Sequence, residues 1–190
     1  MLRISLPALL GLIAALAPAH ADEAAAWAAL RAGEHVALMR HAEAPGRSGD
    51  PPGFRLDDCT TQRNLSAKGR ADAKAAGERL RAERAAIGKL LSSPWCRCVD
   101  TARLLGLGTV EIEPAFSNAF AMSAQRDALA EGARSVIGGW KGPGTLLVVT
   151  HGANIRALTG ANPAEGEIVV VAAGSDRTIR EIGRIPAANR

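Results

Sequence analysis

The hydrophobic positions of the chain change period repeatedly, and each change marks an element. Residues 22–32 place Trp27 and Leu30 on one side of an Ala-rich stretch that stops at Gly33, which predicts a short helix. Residues 35–39 form an apolar run that ends at Arg40-His41 and reads as a buried strand. Residues 44–58 carry Pro45, Gly46, Gly49, Pro51, Pro52 and Gly53 and read as a loop. Ser66 is placed to cap a long helix running to Ile87, with Ala73, Ala76, Leu80 and Ile87 at helical spacing and Gly88 ending it. The opposite face carries Lys68, Arg70, Lys74, Arg79, Arg81 and Arg84, a pattern that reads first as a solvated face.

The same reading gives strands at 89–93 and 109–113, a helix at 96–105 ended by Gly106, and a helix at 122–140 with a stripe of Met122, Leu129, Ala133, Val136 and Trp140. The run TLLVVT at 145–150 is the strongest strand. It leads through His151-Gly152 into a short helix ending at Gly160, and strands at 167–172 and 178–185 close the chain. Strands alternating with helices predict an α/β fold, a three-layer α/β/α sandwich on a mostly parallel sheet. In such a sheet ligands bind at the carboxyl ends of the strands. Arg40 and His41 end one strand, Arg97 begins the helix after another, and His151 ends a third, so one edge is expected to collect all four.

The first 21 residues have another character. Arg3 supplies a positive start, residues 4–17 are apolar, and Ala19-His20-Ala21 has the small-x-small pattern of a cleavage site. The apolar run is short of the about 20 residues that a membrane span needs. The expectation is a cleaved signal peptide at 1–21 and one domain at 22–190. That domain is expected to be exported to a bacterial periplasm, without stable membrane insertion after cleavage.

Composition narrows the function classes. With 190 residues the chain is one domain in size, and 47% hydrophobic with 22% charged residues is a globular balance that excludes disorder. Aromatics are 3%, with no Tyr, so the core must come from Ala, Leu, Val and Ile. The stacking platforms of a single-strand nucleic-acid binder are also missing, and no nucleic-acid partner is expected. The net charge of +4 is carried mostly by Arg, which suits bidentate contacts to phosphate or carboxylate. Cys59, Cys96 and Cys98 in an oxidising compartment predict a disulfide from Cys59 to either Cys96 or Cys98, with one thiol left over. Neither the cysteines nor the histidines have the spacing of a metal site.

Two His and two Arg at one edge suit phosphoryl transfer. A neutral imidazole can attack phosphorus and form a covalent intermediate. Guanidiniums can hold the phosphoryl oxygens, and a second, cationic imidazole can donate to them. No metal or cofactor is then required, since the protein supplies the positive charge.

LMRHAEAPG at 38–46 resembles the R-H-G/A-E signature of the histidine phosphatase superfamily, the phosphoglycerate-mutase-like fold. NLSAKGRADAKAAGERL at 64–80, SSPWCRCVDTA at 92–102 and VVTHGANIRALTG at 148–160 resemble three further segments of that family, in the right order. The resemblance spans nearly all of 34–172 and is similar to a branch of small exported members described as lipopolysaccharide-core phosphatase-like. It implies His41 as nucleophile, Arg40 and Arg97 as phosphate clamps, His151 as the second pocket histidine, and Gly152 as a point of close backbone approach. Where many members carry a Glu acid in a P-x-L-x-E-like segment, this chain has Asn118, and Gly152 stands at the other common acid position. Glu167 is the first expectation for a replacement acid, from the start of a strand that the family topology makes antiparallel, with Asp58 and Glu43 as loop candidates. Gln62, Arg63 and Asn64 read equally as substrate contacts or as a turn into the helix.

These residues lead to an expected metal-independent phosphomonoesterase acting on a small phosphorylated molecule or a phosphorylated envelope glycan. The alternatives are a non-catalytic phosphate- or phosphoglycan-binding protein of the same fold, and a basic envelope-surface module acting through the 66–87 helix.

Overall fold

Period-two alternation along the strands gives the sheet two apolar faces, and each face is covered by its own helices. In the computed structural model, which describes residues 19–46, 49–174 and 177–188, the first strand is β1 (Val36–Arg40). Its Val36 and Leu38 join one core while its Ala37 and Met39 join the other. The strands β2 (Ile87–Ser92), β3 (Val110–Ile112), β4 (Thr145–Thr150), β5 (Ile168–Ala173) and β6 (Ile179–Ile185) complete one sheet in the order β3-β2-β4-β1-β5-β6. The β3-β2, β2-β4 and β4-β1 pairs are parallel, and β5 and β6 are added antiparallel beside β1. All six residues of β4 are buried, as its central position requires.

On one face lie α1 (Ala19–Ala32), α2 (Ala67–Ala82) and α3 (Cys96–Leu105). They pack Trp27, Leu30, Ala76, Leu80, Ala102 and Leu105 against Met39, Leu90, Leu147, Val149 and Val170. On the other lie α4 (Arg126–Gly139) and α5 (Gly152–Thr159), whose Ala133, Ile137, Ile155 and Leu158 meet Leu38, Leu91, Leu146, Val148 and Val169. This is the expected three-layer α/β/α sandwich with a mostly parallel sheet.

Local chemistry explains the element ends. Ser66 caps α2, its Oγ accepting from Gly69 N at 2.9 Å. A Cβ at Gly69 would overlap the Glu43 carbonyl oxygen, so glycine there lets α2 lie directly against the chain leaving β1. Gly106 and Gly160 end α3 and α5 in the left-handed region, at φ 62° and 77°.

Two expected elements differ. The helix expected to reach Ile87 stops at Ala82: Arg84 adopts φ 56°, the chain reverses, and Ile87 begins β2. Gly88 is a strand residue rather than a stop, and a Cβ there would overlap the Pro143 carbonyl oxygen. The helix expected from Met122 starts at Arg126, after a short 3-10 turn at Ser123–Gln125. The expected signal peptide lies outside the described residues except for Ala19–Ala21, which form the first turn of α1.

Candidate active site

Three parallel strand ends converge. Arg40 and His41 leave β1, His151 leaves β4, and the turn after β2 leads through Trp95 to Arg97 in the first turn of α3. Backbone hydrogen bonds hold the ends in register: His41 N donates to Thr150 O at 2.9 Å, and Ser93 N donates to Val149 O at 2.9 Å. Arg40, His41, Arg63, Arg97, His151 and Gly152 share the wall of a cavity of about 560 Å³. All four residues expected at this edge are therefore together.

His41 is 2% exposed. Its Nδ1 lies 2.8 Å from the Ala42 carbonyl oxygen, and since a carbonyl only accepts, Nδ1 carries the proton. Nε2 therefore holds the free lone pair, and among the described residues it has no hydrogen-bond partner. Burial lowers the His41 pKa to about 3, against the pull of the Ala42 hydrogen bond and with the charges of Arg97, Arg40 and Arg63 adding to it.

His151 is as deeply buried, with Nε2 2.8 Å from Ser93 Oγ, and its ring meets those of Trp95 and His41 edge-on at centroid distances of 5.4 and 5.6 Å. Burial, then the neighbouring His41 and the arginines, hold its pKa well below the usual imidazole value. These surroundings favour the neutral form of His151, where the expectation is that it can carry charge when it donates to phosphoryl oxygens.

The arginines are held from behind. Arg97, 1% exposed, donates through Nη1 and Nη2 to Asp50 at 2.6 and 3.2 Å, and through Nη1 to the Arg63 carbonyl at 3.2 Å. Arg40 donates to Pro163 O at 3.0 Å and to Glu165 at 3.4 Å. Arg63 donates to Gly49 O at 3.2 Å and to Ala44 O, and pairs with Glu165 at 3.7 Å. The Nε atoms of Arg40 and Arg97 are buried and make no hydrogen bond. Of the three residues left open between turn and site, Arg63 is in the cavity. Gln62 accepts from Cys96 N at 3.0 Å and Asn64 donates to Cys59 O at 2.6 Å, so both build the turn. Gly152 lies against the Arg40 side chain, where a Cβ would stand 3.4 Å from Cδ.

The expected acids are elsewhere. Glu167 does lie at the active edge through its backbone, its carbonyl accepting from Arg40 N at 3.0 Å. Its carboxylate turns back to accept from Ala164 N at 2.9 Å and stands 3.9 Å from Arg184, outside the cavity. Asp58 caps the turn Cys59–Thr61 and pairs with Arg55. Glu43 accepts from Ser66 Oγ and lines a neighbouring depression. Asn118 is in the cavity wall, 4% exposed.

The disulfide joins Cys59 to Cys96, which resolves the open pairing. Cys98 is a buried free thiol 3.5 Å from His151 Nε2, its pKa pushed up to about 12 by burial. Asp50 and Glu165 carry no signal in the sequence that marks them as site residues. Asp50 offers no motif, and its partner Arg97 is 47 positions away.

Residues 36–126 match the model of the Histidine phosphatase superfamily (branch 1), a match that ends before His151. No curated protein is matched in sequence. Among solved structures, the mycobacterial glucosyl-3-phosphoglycerate phosphatase complexed with inorganic phosphate is 16% identical, covering 82% of this chain and 99% of its own, with a TM-score of 0.56. The protein of the open reading frame Rv3214 from Mycobacterium tuberculosis is 18% identical over 82% of this chain and 98% of its own, with a TM-score of 0.58. The protein histidine phosphatase SixA complexed with tungstate is 18% identical over 80% and 96%, with a TM-score of 0.52. The chain has the phosphoglycerate-mutase-like fold of that superfamily.

Proposed function

We propose that the protein is an exported, metal-independent phosphatase that transfers a phosphoryl group to His41 and then to water. The observation that carries this reading is the His41 imidazole: neutral, its Nδ1 proton committed to Ala42, and its Nε2 lone pair unengaged in a cavity whose wall includes the guanidiniums of Arg40, Arg63 and Arg97. Nε2 forms the bond to phosphorus while the leaving oxygen departs. Arg40, Arg63 and Arg97 hold the phosphoryl oxygens as their charge redistributes. The two buried Nε donors left unsatisfied on Arg40 and Arg97 are the kind of group that an anionic ligand satisfies. His151 completes the wall opposite His41. Water then displaces the phosphoryl group and restores the imidazole. Substrates of this class are small phosphorylated molecules or a phosphorylated envelope glycan.

Release of phosphate from 4-nitrophenyl phosphate in the presence of a chelator tests it. Turnover by the wild type, with a phosphohistidine trapped by rapid quenching and lost in His41→Ala, is expected. A binding protein of the same fold would share the acid-free cavity wall and bind phosphate with no turnover of this activated ester, which overturns the reading.

Export rests on the composition of residues 1–21. Cleavage before Asp22 would leave Ala26, Trp27 and Leu30 in the core, so the mature domain keeps its packing. Sequencing of the N-terminus of periplasmic material should begin at Asp22. Retention of full-length chain in the cytoplasm would count against export.

A further inference from the structure

Asn118 stands where the family resemblance calls for an acid, in the wall of the cavity that holds His41. Its Oδ1 accepts from the backbone N–H groups of Phe120 at 3.0 Å and Ala121 at 3.4 Å. That fixes the orientation of the amide and leaves its NH₂ without a partner among the described residues. An amide donates hydrogen bonds but supplies no proton. Among the described residues no Asp or Glu lines the cavity.

The same wall carries two further cations, Arg126 at the start of α4 and Arg156 on α5. Arg156 donates to Asn162 Oδ1 at 2.8 Å. Arg40, Arg63 and Arg97 are each paired with a carboxylate, whereas Arg126 and Arg156 have none among the described residues. The cavity thus has more positive charge than one phosphoryl group needs, and the carboxylates nearest to it, Asp50 and Glu165, are engaged by Arg97, Arg40 and Arg63.

We infer that the substrate is a phosphoanhydride, whose leaving group is itself a phosphate received as an anion by Asn118, Arg126 and Arg156. This rests on the phosphatase reading above. An alkoxide is a poor leaving group unless an acid protonates it, and losing that help costs about 100- to 10,000-fold. A phosphate monoester, with its second pKa near ~6, departs unprotonated. Donors that cannot give up a proton, backed by two unpaired guanidiniums, suit such a group and are superfluous for a neutral one. In the transfer, His41 Nε2 bonds to the terminal phosphorus as the bridging P–O bond breaks, and the electron pair leaves on the departing phosphate. Water then attacks the phosphohistidine, the P–N electrons return to Nε2, and both protons of water leave with inorganic phosphate.

The test compares kcat/KM in chelator for inorganic pyrophosphate, ADP, farnesyl diphosphate, glucose 6-phosphate, phosphoramidate and 4-nitrophenyl phosphate. At least one anhydride should exceed glucose 6-phosphate by ~100-fold or more. ADP and farnesyl diphosphate separate a soluble from a lipid source of the group. The double variant Arg126→Ala/Arg156→Ala should lose about 10-fold more on the preferred anhydride than on 4-nitrophenyl phosphate. Glucose 6-phosphate turned over as fast as every anhydride overturns the inference, as does an equal loss on both substrates in the double variant. Phosphoramidate preferred over all anhydrides also overturns it and assigns the site to nitrogen-linked phosphate. Absence of turnover even on 4-nitrophenyl phosphate removes the phosphatase reading itself, a result distinct from the others.

Discussion

Asp50 grips Arg97 by both terminal nitrogens, at 2.6 and 3.2 Å, in a pair whose side chains are almost wholly withdrawn from solvent. Burial works to raise the Asp50 pKa, but hydrogen bonds from Arg97, the Arg63 backbone and Trp95 outweigh it and hold the carboxyl below its usual range. A loop with little regular structure of its own thereby fixes a cation on the far side of the cavity.

Asp50→Ala should leave that guanidinium buried and unpaired. Breaking one side of such a pair costs ~3–5 kcal/mol, which urea unfolding measures. In Asp50→Asn, which keeps the shape, kcat/KM on 4-nitrophenyl phosphate should fall about 10- to 100-fold, the range for loss of a supporting hydrogen-bond partner. Because Trp95 Nε1 donates to the same carboxylate at 3.0 Å, indole fluorescence should report the change.

Replacing His41 by Ala should lower turnover at least ~1,000-fold, as removal of a nucleophile does. Circular dichroism should show the same secondary structure, since His41 follows β1 rather than packing within either apolar core.

The buried imidazoles set the acid limb of stability. In the unfolded chain each titrates near ~6.5. In the folded protein His41 takes up its proton only near 3, and His151 is also held far below its ordinary value. Between those values the unfolded state binds more protons, so their contribution is complete above about pH 6.5 and is lost progressively as pH falls towards 3. The urea midpoint should therefore decline from pH 7 to pH 4. In the same range kcat/KM should show no inflection near 6.5 from His41. Such an inflection would mean an ordinary, solvated imidazole.

Alkylation without reductant should label no thiol in the native protein and one after unfolding, because Cys98 is buried and its pKa is pushed up to about 12. Reducing the Cys59–Cys96 bridge, which spans 37 positions, should cost ~4 kcal/mol. Activity should fall with it, since the bridge and the bond from Cys96 N to Gln62 tie the start of α3, and so Arg97, to the loop.

Asn118→Asp keeps an oxygen for the Phe120 and Ala121 amides while supplying an acid. The ratio of alkyl phosphate to pyrophosphate turnover should rise, by up to the ~100-fold lower range of acid catalysis, with the gain confined to pH values where the carboxyl is protonated.

The residues that the sequence reveals are those held by short-range patterning. Arg40, His41 and His151 follow apolar strands, and Arg97 follows a strand and starts a helix, so periodicity alone brings them to one edge. Asp50 and Glu165 are invisible to that logic, because their roles depend on partners distant in sequence. Glu167 shows a different limit. Its backbone position was foreseen, yet the turn from Ala164 captures its carboxylate, and strand position does not dictate where a long side chain bonds. Gly88 shows a third limit: a glycine that sits in a strand against the Pro143 carbonyl has the same letter as one that ends a helix.

Asp50 and Glu165 bear on how the reaction ends. Three guanidiniums facing a phosphate dianion with nothing behind them would hold inorganic phosphate as an inhibitor of each new cycle. Here two carboxylates already share those three charges, and both histidines are neutral. Among these five groups the excess is one positive charge, so the transferring phosphoryl group is gripped less tightly than three bare guanidiniums would grip it, while Arg126 and Arg156 in the same wall remain for the leaving group.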